Sequence, residues 1–157
     1  MSTIQPEYFT KALFALLNET FDHVQGYFLD KATSLFETLD GITAAEASIP
    51  VGGKCATLAA QVKHVAFYLD VVDKSIRDPN YPPADWGEIW RTVSRVTPEE
   101  WEAIKVELRH SYKRILDLLK DTPVWSGDGE IGNAIAIVAH TAYHLGEIRQ
   151  ALCTLKP

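Results

Sequence analysis

Apolar residues in this chain recur every three or four positions almost throughout, and the two-residue alternation of a half-buried strand is nearly absent. A chain patterned in this way must bury helical stripes against one another. Residues 7–24 carry Phe9, Leu13, Leu16, Leu17, Phe21 and Val24 on one stripe, with Gly26 expected to end that helix. A shorter helix with Asp30 as N-cap runs through Leu35, Phe36 and Leu39 and stops at Gly41. Pro50-Val51-Gly52-Gly53 reads as a loop. Residues 57–77 hold Leu58, Val62, Val65, Leu69, Val72 and Ile76 in register, and end before Asp78-Pro79 because proline disfavours a helical residue ahead of it. Thr97-Pro98-Glu99-Glu100 is the sharpest start signal, with Thr97 as N-cap, Pro98 at the first position and Glu100 completing a capping box. Trp101, Ile104, Leu108, Ile115, Leu118 and Leu119 follow, to about Lys120. Residues 121–129 read as a turn-rich loop and 131–155 as the last helix.

Between the second and third long helices, residues 80–95 contain Tyr81, Pro82, Pro83, Trp86, Gly87 and Trp90, an aromatic connection long enough to cross the bundle or cover a pocket. The expected fold is all-α, a four-helix bundle with one short additional helix and this aromatic connection. At 157 residues the chain is expected to form a single domain spanning 1–157.

Composition narrows the function classes. Hydrophobic residues at 46% and charged residues at 23% give the balance of a globular protein rather than a disordered one. No stretch reaches the ~18 apolar residues that span a bilayer. Residues 1–7 lack the basic start and apolar core of a secretory signal, so a cytoplasmic protein is expected. A net charge of −6 without a Lys/Arg run disfavours nucleic acid. Cys55 and Cys153 lack a C-x-x-C spacing and are read as free thiols, inert in the core rather than nucleophilic.

The chemistry-bearing pattern is histidine. His140 and His144 lie four apart in the last helix, roughly 40° apart around its axis and one turn along it. Glu147 falls near −20° on the same wheel, so one face carries two imidazoles and a carboxylate. The stripe of Ile131, Ile135, Val138, Leu145, Ile148 and Leu152 beside it supplies apolar packing. His64 lies on an earlier helix, near its apolar stripe. Three imidazoles with an open position describe a catalytic zinc site better than a closed structural one, and an ion held by His64, His140 and His144 would cross-link two helices. A carboxylate at the inner edge of an apolar helix needs a cation, a hydrogen-bonding partner or water nearby. His23 and His110 have no such company and are expected at the surface or at helix ends.

Other motifs carry less. The H-E-x-x-H peptidase motif is absent, because Thr141 follows His140. Residues 127–132 satisfy G-x-G-x-x-G, yet no hydrophobic strand precedes them and Asp128 and Glu130 would oppose a pyrophosphate. Those glycines are expected to make a turn, with Asp128 or Glu130 favouring the helix N-terminus. Trp101 is expected in the core; Trp86, Trp90 and Trp125 can line a cavity near the histidines or serve as packing.

The arrangement resembles the DinB/YfiT-like family of metalloenzymes, four-helix bundles with one histidine on the second main helix and H-x-x-x-H near the start of the last. The matching residues are His64 in Gln61-Val62-Lys63-His64-Val65, and His140 and His144 in the run from His140 to Gln150. The likeness covers nearly the whole chain in length and helix order. It implies a divalent ion, zinc or nickel, on the three histidines with water completing the shell, and frequent homodimers. Family activities include transferases and isomerases that use a low-molecular-weight thiol, and metal-dependent hydrolases. Many relatives carry Gln where this chain has Glu147, which bears on coordination number and offers a base. The thiol-dependent isomerases carry a further C-terminal domain that this chain is expected to lack, so their substrate is not expected to transfer.

The sequence therefore predicts a metal-dependent enzyme that activates water or a low-molecular-weight thiol for a small-molecule substrate, with Glu147 as general base or fourth ligand. Its rival is a non-catalytic metal- or small-ligand-binding bundle, and a third reading is a dimeric bundle without metal.

Overall fold

The computed structural model describes residues 5–50, 55–121, 125 and 127–155. Among them the chain is all-helical: α1 (Pro6–Phe21), α2 (Leu35–Asp40), α3 (Ala44–Ala47), α4 (Leu58–Arg77), α5 (Glu88–Thr92), α6 (Pro98–Lys120) and α7 (Asp128–Leu155). Four of these are long, at 16, 20, 23 and 28 residues. Three are short, where one was expected. α4 packs on both α6 and α7, and α1 packs on α7. No helix of the described residues is long and apolar enough to cross a membrane.

Local chemistry sets these boundaries. The Thr97 hydroxyl accepts from the Glu100 amide, whose carboxylate in turn accepts from the Thr97 amide at 2.8 Å, so the expected capping box starts α6. The Thr57 hydroxyl caps α4 by accepting from the Ala60 amide, and α4 stops at the expected residue, ahead of Asp78-Pro79. Along α4 the buried residues include Leu58, Val62, Val65 and Leu69, whereas Ile76 is left exposed near the C-terminus. They meet Leu108 and Ile115 of α6 and Ile137, Leu145 and Ile148 of α7 in one core. Trp101 is buried there as expected, its indole N–H donating to the Ile42 carbonyl at 2.8 Å.

Several expected details shift. α1 ends at Phe21, before Gly26, because the buried Glu19 carboxylate captures the chain that follows. It accepts from the amides of Gln25, Tyr27, Phe28 and Leu29 at 2.6–3.0 Å. Gly26 at φ 90° and Ala32 at φ 59° make the turns of that loop. The cap of α2 is Ser34 rather than Asp30, with Glu37 closing a capping box. In the aromatic connection Ile89 is buried, and α5 forms around it and packs on α4.

α7 begins at Asp128, so Gly129 and Gly132 lie inside the helix instead of making a turn. Its buried stripe is Ala134, Ile137, Thr141, Leu145 and Ile148, while Ile135 is exposed. Both cysteines are free and exposed, not core residues. The expected loop at residues 51–53, and residues 122–124 and 126 of the loop before α7, lie outside the described residues.

Candidate metal centre

The packing of α4 against α7 brings the three expected histidines together. Ring centroids are 5.3 Å apart for His64 and His140, 4.8 Å for His64 and His144, and 4.6 Å for His140 and His144. One nitrogen from each ring lies within 4.8 Å of the others. His64 and His144 are buried, and His140 is half-buried. His23 and His110 are exposed, as expected.

His144 is the most constrained of the three. Its Nδ1 faces Gln61 Oε1 at 2.7 Å and Glu147 Oε2 at 2.9 Å. Both are acceptors, so Nδ1 carries the proton and Nε2 keeps its lone pair. A histidine that donates one ring N–H to a carboxylate and offers the other nitrogen outward has the arrangement usual for metal-ligating imidazoles. His64 Nδ1 and His140 Nε2 are buried nitrogens without a hydrogen-bond partner. Buried polar atoms left unpaired cost free energy, and an ion between the rings would satisfy them.

Electrostatics favours the state that a metal needs. Burial pushes His64 and His140 down from 6.5 to about 4, and repulsion from His144 adds to it against a weaker pull from Glu147. Burial also lowers His144, with Glu147 opposing. All three are neutral imidazoles near pH 7, and neutral imidazole is the ligand form. Nitrogens sharing an ion tetrahedrally at ~2.0–2.1 Å stand ~3.4 Å apart. The triad therefore needs small ring rotations to close on an ion, and its donor set fits one.

Aromatic rings wall the triad. Tyr68 stacks on His140 with centroids 3.8 Å apart, and Trp90 lies over His64 at 4.4 Å. Trp86 stands edge-on to Phe67 at 5.7 Å and reaches toward His64. The aromatic connection thus covers the site, and Trp86 and Trp90 belong to it. Trp125 does not: it donates to the Thr10 hydroxyl, packs edge-on to Phe9 and borders a small cavity with Leu118, Leu119 and Ile137.

Two participants went unforeseen, Gln61 and Tyr68. Both stand on the His64 face of α4, three residues before it and four after, so helical spacing carried a signal for each. Glu147, anticipated as a base or ligand, lies behind His144 and also accepts from the Tyr143 hydroxyl, an interaction that raises the phenol's pKa. Gln61, Tyr143 and Glu147 border a cavity of about 480 Å³ that also reaches Cys55, Leu58, Gln150 and Thr154. Compared with known protein families, curated proteins and solved structures, the chain matches none.

Proposed function

We propose that this protein binds one divalent metal ion through His64, His140 and His144 and works as a metal-dependent enzyme, transferase- or hydrolase-like, on a small molecule. The observation that carries the reading is His144, whose protonated Nδ1 is held by Glu147 and Gln61 while its bare Nε2 shares a cluster with His64 and His140, each of which has one buried nitrogen without a partner. A bound ion supplies Lewis acidity there and lowers the pKa of a water or low-molecular-weight thiol at its open position. Zinc and nickel both suit imidazole.

The remaining roles belong to the chain. Glu147 orients His144 and strengthens Nε2 as a donor, and it is read as the general base for an incoming nucleophile. Gln61 fixes the same ring. Tyr68 and Trp90 hold the other two imidazoles by stacking and limit water around them. The long helices α1, α4, α6 and α7 are read as a four-helix bundle of the DinB/YfiT-like kind in a single cytoplasmic domain that forms homodimers. Three histidines on α4 and α7, in the order of the resemblance, support that assignment.

Elemental analysis of protein purified without added metal tests the site: one zinc or nickel per chain is expected, and none in His144→Ala. A variant that retains stoichiometric metal would rule out this ligand set. A thiol-transfer and ester-hydrolysis screen with and without chelator then separates enzyme from binding protein, since a non-catalytic bundle shows no chelator-sensitive turnover.

A further inference from the structure

Gln61 and Glu147 face two ways. On one side they hold His144 Nδ1, and on the other they line the cavity of about 480 Å³ between the start of α4 and the second half of α7. That volume is within the ~300–1,000 Å³ of small-molecule sites. Ala56, Leu58 and Ala151 make its lining largely apolar, and among the described residues Glu147 is its one charged group. The Glu147 side chain is 36% exposed, and among the described residues its partners are the neutral donors His144 and Tyr143, with no lysine or arginine paired to it.

A carboxylate at the edge of an apolar cavity, with no cation beside it among the described residues, selects the charge of what enters. An anion is repelled and a neutral molecule gains at most a hydrogen bond. An ammonium gains a charge-assisted hydrogen bond while its hydrocarbon leaves water. We infer that this cavity is a second ligand site that takes a small monocationic amine with an apolar body, and that the amine and the metal oppose each other through Glu147 and His144. The amine site stands on the cavity alone; the opposition rests on the metal reading above.

The opposition follows from charge. An ammonium on Glu147 draws the carboxylate away from Nδ1–H and weakens Nε2 as a donor, and it adds a positive charge on the far side of the same imidazole. Coupling between two bound ligands is reciprocal, so each must weaken the other by one factor, here roughly tenfold.

Calorimetric titration of the chelated 157-residue chain with 2-phenylethylamine, 2-phenylethanol and 3-phenylpropanoate tests the site. The amine should bind roughly tenfold tighter than the alcohol, the carboxylate not measurably, and Glu147→Gln should erase the difference. A Cβ at Gly146, on the cavity wall, meets nothing within 4 Å, so Gly146→Phe should block amine and alcohol alike while the helix accepts it.

Alkylation locates the ligand without mutation. Cys55 lines this cavity and Cys153 a different groove, and both thiols are exposed, so the amine should slow reaction of Cys55 and leave Cys153 unchanged. Equal affinity for amine and alcohol, full amine binding in Gly146→Phe, or no selective protection of Cys55 would each overturn the proposal. Zinc loading should then weaken the amine. Unchanged amine affinity in zinc-loaded protein refutes the opposition, whereas failure of zinc to bind refutes the metal reading and leaves the amine site standing.

Discussion

Glu19 shows how much one side chain can organise. Burial alone would raise its pKa, but four backbone N–H donors overcome that and hold the carboxyl at about 2, below its ordinary 4.5. The loop after α1 is therefore closed around an anion. Glu19→Gln puts an amide N–H where an acceptor stood and is expected to cost about 2–4 kcal/mol at pH 7. Because the folded pKa is depressed, this contribution is complete above about pH 4.5 and lost as pH falls toward about 2. Urea unfolding of both proteins at pH 7, 4 and 2.5 should show a gap that narrows across that window; a gap constant with pH would mean that charge is not its source.

Nothing in the sequence marks Glu19, since its partners are backbone amides six to ten residues ahead and any residue supplies those. The histidines were legible for the opposite reason. They are few, they are chemically specific, and four-residue spacing fixes their relative direction on a helix. Gln61 stands at helical spacing from His64, but a glutamine on a helix reads as a solvated residue until its neighbour across the interface is known.

At the scale of elements, helix starts with reciprocal side-chain bonds were readable and starts chosen by packing were not. Thr97, Pro98 and Glu100 cap α6 through groups three residues apart, a purely local arrangement. Thr97→Ala should cost about 1 kcal/mol in urea unfolding and leave metal content unchanged, because the cap is spent on α6 while the triad sits on α4 and α7. Loss of metal in that variant would reveal coupling between the two regions.

The short helix α2 illustrates the converse. Asp30 and Ser34 are both good caps, and Ser34 prevails because its hydroxyl also reaches the Asp22 carbonyl at 3.0 Å, a contact across the loop. The stripe on α7 turned for a similar reason. Apolar residues surround Ile135 on several sides of that helix, so composition left the buried face open. Contact with α1 and α4 chose Ala134, Ile137 and Thr141 instead. The direction of the histidine face survived because it was read from His140 and His144 themselves.

For the whole molecule the central question is whether an ion on the three histidines would build the fold or be received by it. The buried apolar side chains of α1, α2, α4, α6 and α7 form one continuous cluster. A core of that extent closes without the ion, so the chelated chain should keep its helical circular dichroism at 25 °C. Binding would still add stability, because an ion joining α4 to α7 would bind the folded state alone. At free zinc one hundred times the dissociation constant the gain is ~2.7 kcal/mol. For a chain of this length each kcal/mol raises the melting temperature by roughly 2–4 °C, so a rise of about 5–10 °C is expected. The rise should vanish in His144→Ala and return to zero on chelation of the native protein. A chelated chain that loses its helicity would instead make the ion a structural staple. A rise that persists in His144→Ala would place the stabilising ion on other residues.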